Sequence, residues 1–284
     1  MSGARSVLAL PDNLPSPDTR VAAVIGDPVS HSLSPRLHNA AFTALGLDWL
    51  YVACHVPEGH GAEAVEEMRS LGFKGLSVTM PHKAAVASAV DALSATAAKL
   101  GVVNCVRVED DRLIGENTDG IGLLNSIQTQ MAIDVEGLRV VILGAGGAAR
   151  SVALAMVESG STVGICNRTH SSAEQIVEIV GGTSSVVQQN AIKDAELIIN
   201  ATPIGMAAND PMPFDADLLR DGQSVVDLIY EPSKTTLLKE AEARGLRTLN
   251  GLGMLLHQAG EQFRLWTGQQ PPIKAMAESV GMTI

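Results

Sequence analysis

Between residues 138 and 227 short apolar runs alternate with helical stretches, and the runs stop on Gly, Asn or Asp rather than fading into long loops. RVVILGAGGAARSVALAMVESG leads into STVGICNRT, ELIINATPIGM and SVVDLIYEP. β-Branched runs separated by helices predict parallel strands joined by helical crossovers, so this segment is constrained to an α/β sheet. Gly144, Gly146 and Ala149 fit G-x-G-x-x-G/A between a predicted strand and helix, the setting that gives this fingerprint meaning. The glycines let the backbone approach a pyrophosphate, and the helix N-terminus supplies N–H groups and positive potential. Ala145, Gly147 and Ala148 complete the turn. A tight glycine-rich turn without a ligand is the alternative. The second strand ends on Asn167-Arg168-Thr169, where an NAD-binding chain usually carries a carboxylate for the ribose hydroxyls. Here no carboxylate repels a 2′-phosphate, and the planar fork of Arg168 can bind one. NADP is therefore favoured over NAD, with a solvated loop arginine as the alternative.

A second β–α series precedes the first. VAAVIG (21–26) reads as a buried strand, and Ser34-Pro35 opens a helix carrying Leu37, Ala40, Ala41, Ala44 and Leu45 at helical spacing before Gly46. Strand-like LYVACHV, a helix around Ala62 to Leu71, the strand GLSVTM and a helix after Pro81 follow. VVNCVRVEDDRLIGEN predicts a hairpin turning at Glu109 to Asp111, and a bridging helix runs from about Gly120 to Met131. A last helix, near Met254 to Thr267, follows NGLG and is placed back on the first domain. The reading is two α/β domains joined near 118–135. Residues 1–118, completed by 251–284, form one with a mostly parallel sheet, and 119–250 form a Rossmann-type domain.

The 284 residues suffice for two cores, and 46% hydrophobic with 18% charged residues indicates a soluble globular chain. A net charge of −11 argues against nucleic-acid binding over a broad surface, though not against a locally positive pocket. No apolar run reaches the length of a membrane span, and MSGARSVLALPDN carries no convincing secretory signal on a loose N-terminus. Cys54, Cys105 and Cys166 lie in apolar contexts and are expected as buried, reduced thiols of a cytoplasmic protein. No Cys/His spacing points to a metal.

Several polar residues sit oddly for structure alone. With Pro81 at the first helical position, Lys83 falls in the first turn, where the backbone dipole disfavours a cation. Ser32 and Ser34 beside a helix N-terminus form a neutral donor cluster suited to a carboxylate, although Ser34 could simply be an N-cap. Asp119 could likewise cap the bridging helix. Asn104 interrupts an apolar strand, which implies a specific bonding partner, either backbone or ligand.

In order, GDPVSHSLSPRLHN, GLSVTMPHK, GVVNCV, GENTDGIG, GAGGAARS, NRT, NATPIGM, DLIYEP and NGLGMLLHQAG resemble the shikimate dehydrogenase family across nearly the whole chain. The resemblance implies NADP-dependent, reversible reduction of 3-dehydroshikimate to shikimate in aromatic amino-acid biosynthesis. It implies that Ser32 and Ser34 bind the substrate carboxylate, that Ser77, Thr79, Asn104 and Gln258 hold the ring hydroxyls with Tyr230 nearby, and that Lys83 and Asp119 are the catalytic pair. Lys83 would face the substrate oxygen, with the helix end opposing its charge and Asp119 supporting it. On the cofactor side it implies Thr202, Met206, Leu228, Gly251, Gly253 and Met254 in addition to the fingerprint. Serine stands at 77 where the family commonly has Asn, so the hydroxyl pattern is open there. The alternatives are a quinate/shikimate dehydrogenase with broader substrate or NAD use, and a non-enzymatic NADP-binding regulator. The expected partner is a small-molecule substrate, with no nucleic acid and no membrane, and monomer and homodimer both stay open.

Overall fold

The computed structural model describes residues 15–207 and 209–284; the N-terminal stretch read as loose and without a secretory signal lies outside them. In chain order the first unit contains β1 (Arg20–Gly26), α1 (Ser34–Ala44), β2 (Trp49–His55), α2 (Gly61–Ser70), β3 (Gly75–Val78), α3 (Lys83–Ala87), β4 (Ala92–Leu93) and α4 (Ala95–Leu100). It continues with β5 (Cys105–Glu109) and β6 (Arg112–Glu116), after which the bridging helix α5 (Asp119–Met131) packs Leu123, Ile127 and Met131 into the core of the second unit. The sheet order is β2-β1-β3-β5-β6-β4, and β5 alone runs against the others. The expected hairpin is β5–β6. Asp110 and Asp111 adopt φ of 48° and 60°, and Glu109 pairs with Arg112, the two-residue turn whose twist matches that of its strands.

The second unit holds β7 (Arg139–Leu143), α6 (Gly147–Glu158), β8 (Thr162–Cys166), α7 (His170–Val180), β9 (Ser184–Val186), β10 (Leu197–Asn200), β11 (Ser224–Asp227), α8 (Thr236–Ala243) and β12 (Arg247–Leu249). Its sheet is wholly parallel, in the order β12-β11-β10-β7-β8-β9. That is the doubly wound Rossmann order, whose direction reverses between β7 and β10. Apolar clusters cover both faces, which is why these strands read as continuous apolar runs.

Two C-terminal helices, α9 (Leu252–Thr267) and α10 (Ile273–Ser279), return to the first sheet. Leu256, Ala259, Phe263, Met276 and Ala277 pack there with Ala22, Val24, Leu37, Phe42 and Tyr51. The helix α5 crosses α9 so closely that a Cβ on Gly122 would lie 2.8 Å from the Gln258 nitrogen, so glycine is required by the approach.

Helix starts differ from the sequence reading in an instructive way. Pro81 lies in the turn before α3, and Lys83 is the first helical residue. Leu33 and Thr118, rather than Ser34 and Asp119, occupy the N-cap positions of α1 and α5, and neither helix has a side-chain cap. The serine and the aspartate therefore start their helices with side chains free for other partners. Cys105 and Cys166 are buried, Cys54 is half-buried, and all three are free thiols. No helix among the described residues is long and apolar enough to cross a membrane.

Candidate active site

Strand direction explains why distant motifs meet. The carboxyl ends of β1, β3 and β6 share one edge of the first sheet, and reversed β5 presents its amino end there. Residues just past β3 and β6 and just before β5 are Thr79, Asp119 and Asn104. The Val78 N–H donates to the Asn104 carbonyl at 2.8 Å, and a Cβ on Gly26 would lie 2.4 Å from the Thr79 methyl. Ligands of open α/β sheets bind at such edges, beside the point where strand order reverses.

At this edge the Lys83 ammonium donates to Asp119 Oδ2, with the two side chains 17% and 7% exposed. Asn104 Nδ2 donates to Asp119 Oδ1 at 2.7 Å and to Thr118 Oγ1 at 3.0 Å, while its own Oδ1 accepts the Thr118 N–H at 2.8 Å. The carboxylate thus holds the lysine with one oxygen and Asn104 with the other. This anion compensates the cation's unfavourable place at the start of α3. Asn104 answers the question its strand position raised: its amide ties α5 to the sheet.

Ser34 is buried and Ser32 half-buried, with the Ser34 N–H donating to Ser32 Oγ at 3.3 Å. Thr79, just past β3, is half-buried. Ser77 behaves differently. Its hydroxyl accepts from Tyr51 Oη at 2.6 Å and donates to Gln262 Oε1 at 2.5 Å, within a buried network. The reading of Ser77 as a ring-facing residue does not match this placement, because the side chains of Tyr51 and Gln262 engage its buried hydroxyl. Gln258 is buried against Asn104 and Gln262. Tyr230 is half-buried in the turn after β11, and burial, with Glu231 next in effect, raises its phenol above the usual range.

The facing edge belongs to the second sheet. Gly144 has φ of 107°, and a Cβ there would meet the Ala201 carbonyl at 2.9 Å, so glycine is needed for both reasons. Gly146 is different: its φ of −84° suits any residue, and a Cβ would meet no atom of the described residues within 4 Å. The room it leaves lies at the N-terminus of α6, where a pyrophosphate fits. Gly147 faces across the cleft, since a Cβ on it would approach Lys83 Cδ to 3.7 Å. Ala145 and Ala148 line the turn half-buried, and Ala149 packs in the core. Asn167 braces its own turn by donating to the Thr169 carbonyl at 2.9 Å, which leaves Arg168 and Thr169 exposed.

The remaining residues read as cofactor-binding divide in two. Thr202 and Met206 sit on the loop after β10, Met206 being 53% exposed. That loop is anchored through Asn200, which accepts from Thr202 Oγ1 at 2.7 Å and donates at 3.0 Å to Asp227, a buried carboxylate whose pKa burial raises. Leu228 and Met254 pack in the apolar cluster beneath the sheet. Gly251 and Gly253 are demanded by packing: side chains there would collide with the Leu228 carbonyl and with Gln130 and Ser126.

Three participants escaped the sequence reading: Tyr51, Thr118 and Gln262. Tyr51 looks like any aromatic of a buried strand. For Gln262 a signal existed, because Gln258 and Gln262 lie one turn apart on a helix face otherwise made of Leu255, Leu256, Ala259 and Phe263.

Residues 24–106 match the family described as shikimate dehydrogenase substrate binding domain, and 251–280 match the shikimate 5′-dehydrogenase C-terminal domain. Residues 139–230 match the NADP oxidoreductase, coenzyme F420-dependent family. The chain is 41% identical over 275 residues to the shikimate dehydrogenase (NADP(+)) of Methanothermobacter thermautotrophicus, covering 92% of this chain and 96% of that protein. Among solved structures it is similar to shikimate dehydrogenase from Aquifex aeolicus, with a TM-score of 0.89, 36% identity, and 94% and 100% of the two chains covered. Shikimate 5-dehydrogenase from Thermus thermophilus, solved in complex with NADP(H) and shikimate, gives a TM-score of 0.86 at 38% identity, covering 92% of this chain and 98% of that one. With 41% identity over 92% of its length and matches to both the substrate-binding and the C-terminal domain models, the chain belongs to the shikimate dehydrogenase family.

Proposed function

We propose that this chain catalyses the reversible, NADP-dependent reduction of 3-dehydroshikimate to shikimate. The observation that carries the reading is the Lys83–Asp119 pair, set at the edge of one sheet and facing the fingerprint helix of the other. In this reading residues 1–118 with 251–284 take the substrate and 119–250 take the dinucleotide. When bound, NADP(H) supplies or accepts the hydride. Lys83 gives its proton to the ketone oxygen as that oxygen gains negative charge, and takes one back from the hydroxyl in the oxidative direction. Asp119 orients the ammonium and stabilises its charge, with Asn104 fixing the carboxylate. Ser32 and Ser34 receive the substrate carboxylate, while Thr79, Asn104 and Gln258 pair with the ring hydroxyls. The three free thiols suit a cytoplasmic setting.

The test is oxidation of shikimate by the purified protein with NADP+ and with NAD+. NADP+ is expected to be preferred by at least about tenfold, equal to roughly 1.4 kcal/mol, which one charge-assisted contact supplies. No turnover of shikimate with either cofactor would overturn the assignment. Replacing the exposed Arg168 with Ala is expected to weaken NADP+ binding and leave NAD+ nearly unchanged, as measured by their KM values. Equal loss for both cofactors would remove Arg168 from the 2′-phosphate.

A further inference from the structure

Behind the residues assigned to the substrate lies a second row of polar side chains. Tyr51 on β2, Ser77 on β3 and Gln262 on α9 are all buried, Gln262 being only 1% exposed. None belongs to the proton-transfer pair, yet their hydrogen bonds form one continuous line into the site. Tyr51 Oη donates to Ser77 Oγ, Ser77 Oγ donates to Gln262 Oε1, and Gln262 Nε2 donates to Gln258 Oε1 at 2.7 Å.

The direction of this line is set by groups that cannot reverse. Gln262 Nε2 also lies 3.3 Å from the Asn104 backbone carbonyl, which can only accept. The nitrogen end of Gln262 must therefore face the site and its oxygen must face Ser77. Ser77 has one proton and gives it to that oxygen, so it accepts from Tyr51. Burial keeps the Tyr51 phenol protonated, and the fully buried His38 ring stacks on it at 4.3 Å. At the other end, Gln258 Oε1 receives the Gln262 N–H, with Asn104 Nδ2 a further 3.5 Å contact. The oxygen of Gln258 is thereby turned inward. Of its two amide hydrogens, one goes to the Leu255 carbonyl at 3.0 Å and the other is left to donate.

We propose that Gln262, held by Ser77 and Tyr51, is a positioning residue that fixes Gln258 as a hydrogen-bond donor toward the substrate and so sets which ring oxygen is recognised. This rests on the assignment of Gln258 to the substrate. It also accounts for the serine at 77. A longer residue there would occupy the space through which Gln262 reaches Ser77, and the serine–glutamine combination keeps the Tyr51, Ser77 and Gln262 side chains paired.

The decisive experiment is a double-mutant cycle on the full-length enzyme, with Gln258→Ala, Gln262→Leu and both changes together, read as shikimate KM, NADP+ KM and kcat. Gln262→Leu is expected to raise the shikimate KM about tenfold when Gln258 is present, the scale of a misdirected hydrogen bond in a buried site. In the Gln258→Ala background it should raise it by less than about twofold, because residues acting through one another are not additive. NADP+ KM should stay at the parental value throughout, which reports that each variant is folded. If Gln262→Leu fails to bind NADP+, Gln262→Met enters the same cycle; it keeps the length of the side chain and removes the donor. Equal increases in both backgrounds would show a merely structural role and overturn the proposal. So would an unchanged shikimate KM in Gln262→Leu or in Gln258→Ala. Absence of shikimate turnover in the parent would instead overturn the proposed reaction, so the two failures are separable.

Discussion

Lys83→Ala is expected to lower the turnover of shikimate by about 100-fold or more, the usual contribution of a positioned general acid–base group. The ammonium is held by Asp119 and half-buried at the mouth of the cleft, where an alanine offers no proton in its place. Asp119 keeps its bond to Asn104, and the helix α3 loses an unfavourable first-turn cation, so the fold should survive the change. Shikimate KM should move far less than kcat, because the proposed assignment gives the carboxylate and ring contacts to other residues. Steady-state kinetics on the purified, folded variant decide the matter. A kcat within a few-fold of the parent would take the proton-transfer role away from Lys83.

The second large effect concerns substrate choice. Shikimate is expected to be preferred over quinate by at least about 100-fold in kcat/KM, since a site that pairs each hydroxyl of one substrate leaves buried groups unpaired with another. Quinate is saturated and carries an additional hydroxyl on the carboxylate-bearing carbon, so it needs both room and a partner. A serine at 77 offers room when read from the sequence. In the fold that room is taken by Gln262, and the serine hydroxyl is fully engaged. Ser77→Asn is therefore expected to act by crowding Tyr51 and α9 rather than by touching the ring. Measuring both substrates with NADP+ and NAD+ tests the selectivity directly. Comparable kcat/KM for quinate and shikimate would favour a quinate/shikimate dehydrogenase of broader use.

What could be read in the sequence was what local chemistry controls. Strand ends on Gly144, Asn167, Asn200 and Asp227 were legible because parallel strands between helices need a sharp turn there. The Asp110–Asp111 hairpin was legible because few residue types accept two left-handed positions in succession. Helix starts were misread by a residue or two at Ser34, Lys83 and Asp119, because a candidate capping side chain was instead drawn into tertiary bonds or freed for them. The side of β3 that Ser77 faces was not legible at all. It depends on Gln262, 185 positions away, and no local pattern reports a pairing at that range. Short β4, β9 and β12 carry too few residues to show a period, and α10 follows its predecessor after only a brief turn.

The return of α9 and α10 to the first sheet has a bearing on how the molecule is made. A ribosome releases the amino end first, and domains ordinarily fold in that order. Among the described residues, Leu256, Phe263 and Met276 pack onto the apolar cluster of Ala22, Val24, Leu37 and Phe42, and they are synthesised long after it. The doubly wound unit, by contrast, has all six of its strands by residue 249. Its sheet is complete while the earlier part of the chain still waits for the helices that close it. The part of the protein that is translated first is thus the last to become finished, and the sheet edge that carries Lys83, Asn104 and Asp119 gains its Gln258 neighbour only when the final helices dock.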